Sequence, residues 1–304
     1  MNRDVRVLIL GAAGQVGLEL QRSFAGRGET IAVDRADLNL AEPDQVRELL
    51  RRVEPDLILN AAAYTAVDRA EEELDAAMAI NAAMPRVLAE EAARLNALLV
   101  HYSTDYVFDG RKEAPWTEED PTGPLNAYGA SKLAGEEAIR KTGGRYLIFR
   151  TSWVYGPHGR NFLLTMLRLG RERDRLSVVN DQYGAPTSSI ALAEATRAVV
   201  DRIEGGSLGG PASWADLYHM SCAGSVTWYG FAEAIFARSE NALGGRRPRV
   251  EAIPSSEYPM PAKRPRNSVL SNARLRERLG VELPDWETAL DAVFARLAHS
   301  AALR

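Results

Sequence analysis

The feature that most constrains this chain is a short apolar run ending in three spaced glycines. Val5-Arg6-Val7-Leu8-Ile9-Leu10 suits a central strand buried on both faces of a parallel sheet. It passes into Gly11-Ala12-Ala13-Gly14-Gln15-Val16-Gly17, and Leu18, Leu20 and Phe24 continue as a helix. Glycines at this spacing permit a tight turn, close approach of backbone to a pyrophosphate, and close packing of helix on strand. The helix N-terminus then turns its positive dipole end toward the phosphates. Gly11, Ala13, Gly14, Gln15, Val16 and Gly17 are therefore the candidate cradle of a dinucleotide. A purely structural glycine turn is the rival reading, and the strand-turn-helix setting weighs against it.

The first half repeats this alternation. Thr30-Ile31-Ala32-Val33-Asp34 reads as a second strand, with Asp34 placed to hold a ribose and Arg35 placed to meet a 2′-phosphate. NADH and NADPH both stay open, as does simple solvation of either side chain. Asp37 and Leu38 open the loop that follows, before a helix around Val46, Leu49 and Leu50. Asp56 to Asn60 is a third strand, ending in Ala61, Ala62, Ala63, Tyr64 and Thr65, where small residues let a flat ring or a ribose lie on the backbone. A helix from about Asp75 to Leu95 carries Asn81, and Ala97 to Tyr102 is a further strand running into Ser103-Thr104-Asp105. Strands alternating with helices predict an α/β fold, a right-handed, doubly wound parallel sheet of Rossmann type. Thr104 then lies at a strand's carboxyl edge, on the side of the glycine turn. Its hydroxyl can donate to a substrate oxygen or cap a local turn.

After the breakers Pro121, Gly123 and Pro124, the stretch from Asn126 to Glu137 reads as a helix. Tyr128 and Lys132 fall on one face of it, one turn apart. A free phenol titrates near pH ~10, and a nearby ammonium brings it toward neutrality. The pair is thus a candidate proton device for a carbonyl or alcohol. Two such residues on a solvated face are the bland alternative.

In the second half, Tyr146 to Arg150 is another buried-type strand. Trp153 lies just beyond it, as core or as a wall for a ligand. Leu176 to Val179 leads into Asn180-Asp181-Gln182-Tyr183-Gly184-Ala185-Pro186-Thr187, an ordinary turn or a recognition loop in which Gln182 meets a nucleotide. Residues 203–213 read as a flexible connection, Tyr218 to Ser221 as a strand, and Thr227 as the cap of a helix to Arg238. Prolines keep the next segment extended. There Arg264 and Arg266 are either solvated or fork a pyrophosphate. Asn272 to Leu279 and Trp286 to Leu297 are closing helices. The expected organisation is a dinucleotide-binding unit over 1–152, with 174–203 added, and a smaller α/β substrate unit over 153–173 and 204–304. The smaller unit sits over the sheet's carboxyl edge.

A net charge of −4 over 304 residues, without a long basic run, argues against nucleic-acid binding. No apolar stretch approaches the ~20 residues of a membrane span, and no secretory leader precedes the first strand. A single cysteine, Cys222, forbids an internal disulfide and fits a reducing, cytoplasmic setting; we read it as a small buried hydrophobe. The four histidines lack metal-ligand spacing.

The glycine turn, the strand end at Asn60 to Thr65, Thr104 and the pair Tyr128 and Lys132 together resemble the extended short-chain dehydrogenase/reductase family. Longer stretches are similar to its branch that reduces 4-keto sugars carried on thymidine diphosphate. These are Gly14 to Gly17, Asn60 to Asp68, Tyr102 to Phe108, Phe149 to Tyr155, Asn180 to Thr187 and Arg264 to Ser268, so the resemblance covers nearly the whole chain. It implies reduction of the C4 ketone of dTDP-4-dehydro-L-rhamnose by NADPH or NADH. Tyr128 is then the proton donor, Lys132 positions the nicotinamide ribose and tunes Tyr128, and Thr104 is the third catalytic member. The resemblance places Asp34, Asp37, Leu38 and Ala63 to Thr65 around the cofactor, and Thr104, Asp105 and Trp153 around the sugar nucleotide. Some relatives dimerise through magnesium held by glutamates. Gln15 and Ile190 stand at two such positions, which implies no metal here and a monomer or weak homodimer. An epimerase of the same superfamily, or a non-catalytic regulatory subunit of a methionine adenosyltransferase, are the rival outcomes.

Overall fold

The computed structural model describes residues 5–239 and 247–302; the lead-in from Met1 to Asp4 lies outside them. The first half supplies β1 (Arg6–Leu10), β2 (Glu29–Val33), β3 (Leu57–Asn60), β4 (Leu98–Thr104) and β5 (Tyr146–Thr151). The second adds β6 (Val154–Tyr155), β7 (Arg175–Val179), β8 (Tyr183–Gly184), β9 (Thr187–Ser188), β10 (Asp216–His219), β11 (Val226–Thr227) and β12 (Arg249–Ile253). The central sheet runs β10-β5-β4-β3-β1-β2, and every neighbouring pair is parallel. The doubly wound parallel sheet expected from the alternation is the one found.

Both faces of the sheet are covered, which is why its strands read as continuous apolar runs rather than alternating ones. Val7, Ile9, Leu57, Leu59 and Val100 point to one side, where α1 (Gln15–Ser23) packs on α7 (Ser189–Glu204). Leu8, Leu10, Ile58, Leu99 and Ile148 point to the other, toward α2 (Pro43–Val53) and α4 (Met84–Leu95). The expected helix over 75–95 is built of α3 (Leu74–Met78), a π-helical turn Ala79–Ala83 and then α4.

Two strands lie elsewhere than their sequence position suggests. β10 falls within the expected smaller unit, yet it pairs Asp216–His219 with Leu147–Arg150 and completes the central sheet. The open edge of β5 needs a partner for its backbone groups, and this late strand supplies it. β7 falls within the segment assigned to the larger unit, yet it pairs with β12 in a separate two-stranded sheet. Nor does the second half carry a separate core. Phe231, Phe236, Leu290 and Val293 belong to the same buried cluster as Val7 and Ile9. The stretch read as a flexible connection holds the last two residues of α7 and runs into a short helix, α8 (Pro211–Trp214), whose Trp214 is buried. Cys222 is buried as expected, and burial pushes its thiol up to about 12.

Candidate active site

The helix α5 (Ala127–Thr142) sets the site. Asn126 caps it: its Oδ1 accepts the Gly129 N–H at 2.8 Å, and its Nδ2 donates to the Lys263 carbonyl at 2.8 Å. A Cβ on Gly129 would lie 2.2 Å from the Tyr106 carbonyl oxygen, and one on Gly135 would lie 2.1 Å from that of Asn81. Both glycines therefore let α5 dock backbone to backbone. Tyr128 and Lys132, one turn apart, are carried against the carboxyl end of β4.

There Tyr128 shares a hydrogen bond with Thr104 and packs edge-on against Tyr106, with ring centroids 5.8 Å apart. Burial raises the phenol's pKa well above its usual value; the Thr104 bond opposes the rise and the Asp105 charge adds to it. Thr104 caps a local turn, one of the two parts foreseen for it. Its Oγ1 accepts the Tyr106 N–H at 3.2 Å, capping the turn Asp105–Val107, and it donates to Asp105 Oδ1 at 3.1 Å. Asp105 is buried with Oδ2 unpartnered, and desolvation lifts its carboxyl to about 7.

Lys132 is turned toward β4: its Nζ donates to the Tyr102 carbonyl at 2.6 Å and lies 3.2 Å from His101 Nε2. Burial lowers the ammonium's pKa to about 8, against the pull of Glu136. Burial sets the direction of the phenol's shift, and the Lys132 amine is held by the β4 backbone.

The glycine turn opens at the point where strand order reverses between β1 and β3, the usual crevice of such sheets. Gly11 holds φ +75°, and a Cβ there would lie 2.7 Å from the Ala62 nitrogen, so the turn and the Ala61–Ala62 strand end touch backbone to backbone. Ala13 and Gly14 are exposed at the start of α1, ahead of the half-buried Val16. On Gly17 a Cβ would meet the Gly11 carbonyl oxygen at 2.1 Å. Asp34 Oδ1 accepts the Ala36 N–H at 2.7 Å and Asp37 accepts the Asp34 N–H at 2.9 Å, while Arg35 is exposed and Leu38 half-buried beside them. The side chain of Gln15 is engaged elsewhere, accepting from Asn161 Nδ2 at 2.8 Å. Tyr64 donates to Glu73, Ala63 is half-buried and Thr65 is exposed. A bare-backbone turn, small strand-end residues and a carboxylate at the tip of β2 fit a dinucleotide.

The residues expected around the substrate are less uniform. Trp153 has φ 47°, a left-handed conformation rare for tryptophan, and stacks on Trp228 with centroids 3.5 Å apart and planes 7° apart. Its indole also lies where a Cβ on Gly184 would be, at 2.4 Å. Trp153 is half-buried, so it is neither wholly core nor a free wall. Gln182 is half-buried on a loop tied down by Asp181, which accepts the Ser255 N–H at 3.0 Å. Arg264 is not free: it pairs with Asp68 at 2.8 Å and donates to the Ala262 carbonyl at 2.9 Å. Arg266 is exposed. Among the described residues no group of three or more His, Cys, Asp or Glu could hold a metal, and no helix is long and apolar enough to cross a membrane.

The family described as "RmlD substrate binding domain" matches residues 5–299. The chain is 48% identical to a dTDP-4-dehydrorhamnose reductase of Burkholderia thailandensis, covering 94% of this chain and 97% of that one. It is 42% identical to the Escherichia coli K12 protein of the same name, over 98% and 100% of the two chains. The chain belongs to the dTDP-4-dehydrorhamnose reductase family. A crystal structure of the Bacillus anthracis reductase in complex with NADP is 36% identical and superposes with a TM-score of 0.86, covering 96% of this chain and 99% of that one.

In this dTDP-4-dehydrorhamnose reductase family member, several residues that build the site carry little signal of their own. Asn81, in the π-helical turn, accepts the Tyr64 N–H at 2.9 Å and donates to the Tyr64 carbonyl and to Ser131 Oγ at 3.0 Å each. It ties the strand-end loop to the residue before Lys132. Glu136 and Arg150 form a buried pair one turn beyond Lys132. His101 touches Lys132 from inside β4. The available signal was a polar residue set in an otherwise apolar run, as in Leu98-Leu99-Val100-His101 or Ala79-Ile80-Asn81-Ala82.

Proposed function

We propose that the protein is an NAD(P)H-dependent reductase that converts the C4 ketone of dTDP-4-dehydro-L-rhamnose to the alcohol of dTDP-L-rhamnose. One observation carries the chemistry: the phenol of Tyr128, hydrogen-bonded to Thr104 at the carboxyl edge of β4. A reduced nicotinamide, when bound, supplies the hydride. The chain's own task is to hold the ketone oxygen and give it a proton. The raised pKa keeps Tyr128 protonated at neutral pH, so it stands as a proton donor to the alkoxide that develops on the sugar. Thr104 stabilises that oxygen, and Lys132 orients the nicotinamide ribose from the floor of the crevice. Gly11 to Gly17 cradle the pyrophosphate, with Asp34, Arg35, Asp37, Leu38 and Ala61 to Thr65 around the rest of the dinucleotide. Asp105, Trp153 and Gln182 are the side chains we assign to the sugar nucleotide, with Arg264 bordering the pocket through Asp68.

Absorbance of NADPH and of NADH with dTDP-4-dehydro-L-rhamnose tests this directly, and net consumption of cofactor separates a reductase from an epimerase. Tyr128→Phe should keep cofactor binding and lose about 10²- to 10⁴-fold in kcat. Near-normal turnover in that variant would take the proton-donor role from Tyr128. We further propose a cytoplasmic monomer or weak homodimer without structural metal, to be checked by sedimentation with and without chelator. The two-unit division is likewise proposed, with its boundary redrawn so that β10 joins the larger unit and β7 the smaller.

A further inference from the structure

The indole of Trp153 is held from two sides. Trp153 follows β5 by two residues, and β5 ends at Thr151, the register partner of Thr104, so the ring stands at the same carboxyl edge. One indole face is covered by Trp228, with ring centroids 3.5 Å apart and planes 7° apart. The other face lies on Gly184. A Cβ there would be 2.4 Å from Cε2, and 2.7 and 2.8 Å from the atoms on either side of it, Nε1 and Cδ2. That point is above the ring, not at its rim. No Trp228 atom comes nearer to it than these, so Gly184 and Trp228 occupy opposite faces. Gly184 has a backbone open to any residue, so what demands glycine there is the indole. Both jaws are anchored in turn. Val226 and Thr227 of β11 pair with Gly184 and Tyr183 of β8. Thr227 caps α9 (Trp228–Arg238), accepting the Gly230 N–H at 3.1 Å and donating to Asn180 Oδ1 at 2.7 Å. Phe162, which opens α6 (Phe162–Glu172), packs on Trp228 with centroids 4.7 Å apart.

A left-handed tryptophan persists only where its surroundings over-determine it. Here the Trp153 carbonyl accepts the Thr187 N–H at 3.2 Å, and the two covered faces fix the ring. We propose that Trp228 and Gly184 are positioning residues for the sugar-nucleotide site. They hold Trp153 edge-on to the crevice, so that it donates its Nε1–H to an oxygen of the sugar or its diphosphate and stacks on neither the sugar ring nor thymine. The inference deepens the assignment of Trp153 to the sugar nucleotide and rests on it. An indole N–H is a donor only. Among the described residues Trp153 Nε1 has no acceptor, and it is not one of the buried unpartnered atoms, so the donor is open to a ligand. Gln182 stands two residues before Gly184, so the same clamp fixes both side chains relative to each other.

Indole ¹H–¹⁵N spectra of tryptophan-labelled protein, with Trp153→Phe to assign the signal, read the contact directly. Saturating dTDP-L-rhamnose should move the Trp153 N–H proton downfield, as a new hydrogen bond does. No movement, or the upfield movement that a ring stacked on the indole face gives, overturns the proposal. Trp228→Leu uncovers one face, and Gly184→Ala drives a methyl into the other. Each should weaken dTDP-L-rhamnose binding and raise the KM for the keto sugar about tenfold, with kcat and NADPH affinity little changed. Trp228→Phe, which keeps an aromatic face, should recover most of the loss. Wild-type KM in both damaging variants overturns the clamp, and so does a parallel loss of NADPH affinity, the mark of general packing. Wild-type protein that engages dTDP-L-rhamnose through Trp153 yet turns over no keto sugar defeats the reductase reading alone. Wild-type turnover with an unmoved Trp153 signal defeats this proposal alone.

Discussion

Arg150 on β5 grips Glu136 on α5 with both arms of its fork, Nε to Oε1 at 2.9 Å and Nη2 to Oε2 at 2.6 Å, and both residues are buried. The Ser103 hydroxyl donates to the same carboxylate, and the guanidinium lies 5.0 Å from the Phe108 ring centroid. The pair bolts the helix that carries Tyr128 and Lys132 to the sheet. Removing one partner strands a buried charge, so Glu136→Gln should cost about 3–5 kcal/mol in urea denaturation. Glu136→Leu combined with Arg150→Met should recover much of that loss. A double variant as unstable as the single one would assign the cost to lost packing instead.

Asp105 predicts a pH dependence. Its folded carboxyl is lifted to about 7, above its ordinary value, because burial outweighs the hydrogen bonds from Ser268 and Thr104. The folded state therefore holds a proton that the unfolded chain releases near pH ~4. That contribution is full below the unfolded pKa and is lost as pH rises through about 7. Asp105→Asn should flatten the fall in Tm between pH ~4 and ~7 and stabilise the protein at pH 8 by on the order of 1–3 kcal/mol. A Tm profile with the wild-type slope would contradict the assignment.

Two glycines with nearly the same backbone separate strain from contact. Gly11 has φ +75° with backbone atoms 2.7 Å from a would-be Cβ; Gly26 has φ +78° with nothing within 4 Å. Gly26→Ala should cost about 1 kcal/mol from left-handed strain alone. Gly11→Ala should cost more and also push the Ala61–Ala62 strand end aside, abolishing the thermal shift given by NADPH. Equal effects in the two variants would show that the close approach at Gly11 has no consequence.

Arg264 and Asp68 should behave as one unit. Asp68 also accepts the Ala262 N–H at 3.1 Å, so the pair pins the segment 262–264 to the loop after β3. Arg264→Ala and Asp68→Asn should each raise the KM for the sugar nucleotide about tenfold, with the double variant little worse than either. An Asp68→Asn variant with wild-type KM, beside a damaged Arg264→Ala, would return Arg264 to direct pyrophosphate binding.

Much of this was legible in the sequence for a definite physical reason. β1, β3, β4 and β5 announce themselves because both sheet faces are covered, and the glycine turn because few other residues tolerate its backbone. The helix of Tyr128 and Lys132 reads from Asn126 onward, and the structure makes Asn126 its cap through a contact three residues on. What could not be read depends on partners far along the chain. Arg264 looked free until Asp68, 196 residues away, was placed beside it. β10 looked like part of the smaller unit because nothing local says that β5 lacks a neighbour. His101 passes for a core histidine, and only the fold puts it between Asn60 and Lys132. The direction of the Lys132 side chain is a competition between the Tyr102 carbonyl and the crevice, which spacing along one helix cannot decide.

The placement of β10 has a consequence for how the chain is made. When β5 leaves the ribosome, residues 152–215 must still follow before its outer edge is paired. During that interval the nascent half-protein presents a row of open backbone groups to any other strand in reach. Fragments ending near residue 203 should therefore precipitate or recruit holding chaperones, whereas chains extended past His219 should not.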